Sequence, residues 1–231
     1  RTSPESQGVS SAKLLEFVDA LDKQVNGAHG VMLLRHGNVI AEGWWAPHGP
    51  QIPHMLFSLT KSFTSTAVGF AVSEGLFSVD DKVISFFPDQ LPARVSKNLA
   101  AMTVHHLLSM STGHTEDPTG KVVERKDGDW IRGFFSVPVK HAPGAPFVYN
   151  SAASHMLSAI VQKRSGLPTE DYLTPRLFAP LGIRPAYWQK DPMGISTGGW
   201  GLNLRIEEIA RFGQFLLQKG AWNGVQLLPA E

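Results

Sequence analysis

Ser58 and Lys61 stand three residues apart in Phe57-Ser58-Leu59-Thr60-Lys61-Ser62-Phe63. On a helix that spacing puts both side chains on one face. A serine hydroxyl is a poor nucleophile until a neighbouring base takes its proton. A lysine amine serves as that base only when held neutral, and burial and the positive end of a helix dipole both disfavour its ammonium form. The stretch from Phe57 to Val72 is small or apolar on almost every face, the pattern of a helix buried in mid-fold, so both effects are expected at Lys61. The same helix start aims backbone N–H groups at whatever bonds to Ser58, which is half of an oxyanion hole. Spacing alone is weak, since a chain of this size holds about one Ser-x-x-Lys by chance. Ser10–Lys13 is a second such pair, but it opens an amphipathic helix and reads as a cap followed by a solvated lysine. For Lys61 the competing reading is a buried ammonium paired with a carboxylate.

A second box follows in Ala142-Pro143-Gly144-Ala145-Pro146-Phe147-Val148-Tyr149-Asn150-Ser151-Ala152-Ala153. Its Pro-Gly turn delivers Tyr149 just before a helix. A phenol so placed relays a proton if a nearby cation lowers its pKa. Read without its neighbours, Tyr149 is better taken as a residue packed at a helix start with its hydroxyl in water. Asn150 and Ser151, beside it, are candidate substrate-binding residues. So is Trp200, which sits between glycines and is suited to line a cleft or to pack.

These residues need elements to hold them. Apolar residues at 14, 15, 17, 18 and 21 keep a helical stripe, with Ser10 and Ser11 available as caps. Val31–Arg35 and Val39–Trp45 form a β-hairpin about a Gly37-Asn38 turn. Leu107–Met110, Ala152–Ser165 and Ile206–Lys219 read as further helices, Asp80-Asp81 as a helix start, and Pro118–Gly133 as a surface loop near the cleft. No internal repeat or low-complexity tract is present.

The composition narrows the function. The chain has 231 residues, 42% apolar and 18% charged, with a formal net charge of +1; this suits a folded domain and lacks the basic footprint of a nucleic-acid binder. It has no cysteine, which excludes disulfides, a thiolate nucleophile and thiolate-held metals. That composition fits a bacterial protein of either the periplasm or the cytoplasm. No apolar run approaches the roughly 20 residues that span a bilayer. There are nine histidines, but the adjacent His105 and His106 would point about 100° apart on a helix, and no His-Glu-x-x-His occurs. Capping or packing is the expected role of each, and neither a metal nor a cofactor is expected.

Taken together, the boxes resemble the serine β-lactamase and penicillin-binding protein superfamily, most of all its branch of class C β-lactamases, DD-peptidases, esterases and amide hydrolases. The resemblance runs in order along nearly the whole chain: the Ser58 box, Gly75–Val83, Met102–His114, the Tyr149 box, Leu177–Ile183 and Gly198–Leu202. It implies a two-lobed α+β fold, an antiparallel sheet with flanking helices plus an all-helical insertion, with Ser58 at the junction. Residues 1–75 and 195–231 would belong to the α/β lobe and 76–194 to the helical one. It also implies Ser58 as nucleophile, Lys61 as the base or its electrostatic partner, and Tyr149 as the second proton relay.

The family box usually reads Tyr-x-Asn, whereas Ser151 stands third here and Asn150 in the middle. The amide that helps hold a β-lactam is thus out of place. The expectation is therefore an esterase, amidase or peptidase acting on a small ester, amide or peptide. The alternatives are a β-lactamase or DD-peptidase, or a non-catalytic penicillin or peptidoglycan sensor on the same scaffold. The family's third box, Lys or His before Ser/Thr-Gly, is absent from 1–231. From this the C-terminal strands are expected elsewhere, as the remainder of the same protein in a second chain.

Overall fold

A hairpin forms early because its turn can be made: His36 and Gly37 both take left-handed backbone angles (φ 49° and 77°), the geometry that joins two twisted strands tightly. It links β1 (Gly30–Arg35) to β2 (Asn38–Trp44), with Arg35 opposite Asn38. The turn is thus His36-Gly37, one residue earlier than the Gly37-Asn38 expected. The computed structural model describes residues 1–185 and 187–230. Its helices are α1 (Ser11–Gln24), α2 (Thr60–Ser73), α3 (Lys97–Ala101), α4 (Val104–Leu108), α5 (Thr119–Val123), α6 (Trp130–Ser136), α7 (Ser151–Ser165), α8 (Thr169–Leu173), α9 (Ala179–Leu181) and α10 (Ile206–Leu217). The further strands are β3 (His54–Met55), β4 (Tyr187–Trp188), β5 (Leu202–Leu204), β6 (Ala221–Trp222) and β7 (Val225–Gln226). All pair antiparallel, in the sets β1–β2, β3–β5–β4 and β6–β7. The fold is α+β, as expected, although the described strands form three small sheets rather than one.

The core is built around α2 and α7, which pack on each other. α7 is buried without interruption from Ala152 to Val161 and stops at Gly166, whose φ of 76° supplies the left-handed cap. Phe63 of α2 is wholly buried and stacks on Phe212 of α10 at 3.9 Å between ring centroids. In the first turn of α10, Glu208 accepts the backbone N–H groups of Arg205 and Arg184, and the helix lies against β1. The hairpin is thereby partly covered by α10.

Two sequence expectations change. The segment from Pro118 to Gly133 is not a plain loop: α5 lies within it and α6 begins in it, with Asp129 capping α6 by accepting the Arg132 N–H at 2.8 Å. Trp130 and Ile131 are buried there, so the acidic-glycine run that looked like a solvated loop is a helix cap. Asp80 and Asp81 do not open a helix; Asp81 accepts the Ser78 N–H inside a turn, ahead of a 3₁₀ turn at Val83–Phe86.

Candidate active site

Ser58 lies in a single 3₁₀ turn, Phe57–Leu59, that runs straight into α2. Phe57 is held at a φ of 45°, a left-handed conformation that costs a bulky residue roughly 1–2 kcal/mol. Such strain persists only where the surroundings enforce it. Here the turn is pinned on both sides: the Leu56 N–H bonds the Leu202 carbonyl at 2.8 Å and the Leu59 N–H bonds the Leu56 carbonyl at 3.0 Å. The result presents Ser58 to solvent at the mouth of α2.

Lys61 is half-buried and its Nζ donates to Ser58 Oγ at 3.2 Å and to the Gly199 carbonyl at 2.7 Å. The expected apolar jacket is only partial: Phe63 is buried, but Phe57 and Leu59 are exposed. A backbone carbonyl, rather than the carboxylate of the competing reading, holds the amine.

Tyr149 reaches Ser58 from the other side, its hydroxyl donating to Ser58 Oγ at 2.6 Å. Its ring lies under Lys61, with Nζ 4.9 Å from the centroid. Burial pushes the Tyr149 phenol up, but the hydrogen bond with Ser58 and the hydrogen bond and charge of Lys61 outweigh it, and the net shift is downward. Tyr149 is delivered by a backbone clasp: the Val148 N–H bonds the Met110 carbonyl at 3.0 Å, Gly144 bonds Ser111 at 2.7 Å and His141 bonds Gly113 at 2.9 Å. A Cβ on Gly113 would stand 2.3 Å from the His141 carbonyl oxygen, so a glycine is required there.

The three expected catalytic side chains thus meet at Ser58 Oγ, and the neighbouring candidates do not. Asn150 is fully buried; its carbonyl oxygen caps α7 by accepting the Ala153 N–H at 2.8 Å and its amide donates to Thr112 at 3.2 Å. Ser151 is half-buried and packs beside Gly199, where a Cβ would lie 3.1 Å from its own Cβ. Trp200, half-buried, packs against Trp130 at 5.8 Å and donates to Gln189 at 3.1 Å.

Sequence reasoning missed the strap that holds Lys61. Thr60, Lys61 and Thr64 of α2 all bond the segment 198–202: Thr64 donates to the Gly198 carbonyl at 2.9 Å and Thr60 accepts from the Leu202 N–H at 3.3 Å. The other side of the strap touches α7, and a Cβ on Gly198 would stand 2.1 Å from the Ser154 carbonyl oxygen. The Gly198-Gly199 pair was the available signal, because glycines in such a position allow two backbones to approach closely.

A family model described as Beta-lactamase matches residues 15–212, and the chain belongs to that family. It is 27% identical over 208 residues to the 6-aminohexanoate-dimer hydrolase of Paenarthrobacter ureafaciens, covering 84% of this chain and 53% of that protein. It is 28% identical over 209 residues to esterase EstB of Burkholderia gladioli, covering 78% and 53%. A Bacillus anthracis structure provisionally named a 6-aminohexanoate-dimer hydrolase superposes with a TM-score of 0.78 at 21% identity, over 92% of this chain and 59% of that one. The chain spans about half the length of the curated relatives it matches.

Proposed function

We propose that the protein is a serine hydrolase that forms an acyl intermediate on Ser58 from an ester or amide. The observation that carries this is the convergence on one oxygen: Tyr149 at 2.6 Å and Lys61 at 3.2 Å, both on Ser58 Oγ. In the first half-reaction Tyr149, as phenolate, takes the Ser58 proton while Oγ attacks the substrate carbonyl. The tetrahedral intermediate collapses, and the leaving alcohol or amine departs with the proton that Tyr149 returns. Water then repeats the sequence on the acyl-serine: Tyr149 takes its proton, the hydroxide adds to the carbonyl, and Ser58 leaves with the proton restored. Lys61 Nζ stands over the Tyr149 ring, and the Gly199 carbonyl fixes the amine between the two oxygens. The Ser58 N–H, at the helix start, is one donor for the developing oxyanion.

The substrate class follows from the second box and from the relatives. With Asn150 turned inward as a helix cap, no amide from that box is offered to a β-lactam, which favours simple esters and short linear amides over β-lactams. The relatives named as an esterase and as a hydrolase of an aminohexanoate dimer support the same choice. A fluorophosphonate should label the wild type and spare Ser58→Ala. Equal labelling of both proteins sinks the proposal. A panel of p-nitrophenyl esters, short linear amides, nitrocefin and a D-Ala-D-Ala peptide then separates the esterase or amidase reading from a β-lactamase or DD-peptidase. An acyl-enzyme that forms on penicillin and does not turn over would identify a sensor instead.

A further inference from the structure

Three histidines from three separate segments converge. His29 immediately precedes β1, His48 lies in the loop after β2, and His54 opens β3. One ring nitrogen from each lies within 4.8 Å of the other two. The backbone builds the cluster: the hairpin ladder continues from Trp45 N–H to the His29 carbonyl at 3.1 Å, and the His48 N–H turns the loop back onto the Trp45 carbonyl at 2.8 Å. β3 is fixed independently, by pairing His54 with Leu204. Sequence reading gave each histidine a capping or packing role. His106 does cap α4, accepting the Thr103 N–H at 3.0 Å, whereas these three face one another.

We infer that His29, His48 and His54 form a binding site for a divalent transition-metal ion, Zn²⁺ above all. His29 Nδ1 and His54 Nδ1 stand 3.2 Å apart. In a tetrahedral zinc site with Zn–N bonds of 2.0–2.1 Å, ligand nitrogens are about 3.3 Å apart, so this pair already has the edge length such an ion requires. A further ring nitrogen, His48 Nδ1, is buried with no hydrogen-bond partner, an arrangement that costs free energy unless something binds. The rings of His29 and His48 are stacked at 3.7 Å. Because a metal lies in the plane of its imidazole, coordination requires one of them to turn, and His29 is the exposed member of the pair. Three neutral imidazoles with an open fourth position suit Zn²⁺, Co²⁺, Ni²⁺ or Cu²⁺, and not the oxygen-seeking Ca²⁺ or Mg²⁺. The ion would clamp the hairpin to the strand that leads, four residues on, to Ser58.

The test is titration of chelator-treated protein with Co²⁺, read as visible absorption, followed by displacement with Zn²⁺. One Co²⁺ per chain with the intense spectrum of a four-coordinate ion is expected, together with a higher melting temperature in Zn²⁺. His29→Ala and His48→Ala should each weaken binding at least about tenfold, while His105→Ala, at an exposed position of α4, leaves it unchanged. Because His29 is exposed, His29→Ala decides the matter even if His48→Ala does not fold. A weak six-coordinate Co²⁺ spectrum, or wild-type affinity in His29→Ala, overturns the inference and leaves a proton-sharing histidine cluster only. Ser58 labelling is scored separately, so neither result depends on the other.

Discussion

Ser58 Oγ is contacted by a phenol and an amine at once, and the two do not have equal tasks. Tyr149 is held below the ordinary phenol range, burial being outweighed by the hydrogen bond with Ser58 and by the hydrogen bond and charge of Lys61. If Tyr149 acts as phenolate, kcat rises with pH as its proton is lost, and that limb lies below the free phenol value of about 10. Lys61→Met removes both the hydrogen bond and the charge, so the limb moves to higher pH, and kcat at neutral pH falls about 10²- to 10⁴-fold. Tyr149→Phe removes the limb altogether. Steady-state pH profiles on a p-nitrophenyl ester check both; an unmoved limb in Lys61→Met would mean that the lysine does not tune the tyrosine. At this scale the sequence was legible where the geometry is local. Ser58 and Lys61 are one helical turn apart, and periodicity is enough to pair them. The Tyr149 contact spans 91 positions and emerged only from the order of the boxes. The direction of the Asn150 side chain was not legible, because adjacency in sequence says nothing of rotation at a helix start. Capping turned its side chain inward.

At the scale of elements, Lys61 depends on the strap at 198–202, which is wedged between α2 and α7. The wedge leaves no room for a side chain at Gly198, where a Cβ would meet the Ser154 carbonyl oxygen at 2.1 Å. Gly198→Ala must therefore push the strap or α7 aside, at a cost of about 1–3 kcal/mol. The Gly199 carbonyl that holds Lys61 moves with it, so activity should fall more than stability alone explains. Thr64→Val is the milder probe: it orphans the buried Gly198 carbonyl and should cost about 1–3 kcal/mol with a smaller loss of kcat. Urea unfolding alongside kinetics separates the two effects, and a Gly198→Ala protein with wild-type stability and turnover would contradict the wedge. The sequence had shown α7 and α10 within a residue or two, because their apolar spacing is long and regular. The strap was invisible to periodicity, since its bonds are made by carbonyls that every residue carries. The short helices α5 and α6 were equally hard to see, each having too few turns to establish a period.

For the whole molecule, the clasp that delivers Tyr149 is closed over a buried histidine. His114 is 1% exposed, bonded through Nδ1 to Thr112 at 2.8 Å and set edge-on to Phe134 of α6 at 5.2 Å. Thr112 in turn holds Asn150, and so the start of α7. Burial depresses His114 to about 4, against smaller opposing pulls from the Val137 backbone and the Asp117 charge. The unfolded chain takes up this proton near pH 6.5, and the folded chain does so only near 4. Stability from a neutral His114 is therefore complete above pH 6.5 and is lost progressively as pH falls towards 4, a loss of roughly 3 kcal/mol. Carboxylates titrate in the same window, so the comparison with His114→Gln isolates the histidine. The urea midpoint of the wild type should fall more steeply between pH 6.5 and 4 than that of the variant. Parallel slopes would mean that His114 is protonated in the folded state, and that the clasp tolerates its charge. Because the clasp also aims Tyr149, Ser58 labelling should fade over the same interval in the wild type, beginning before global unfolding, and fade less in His114→Gln.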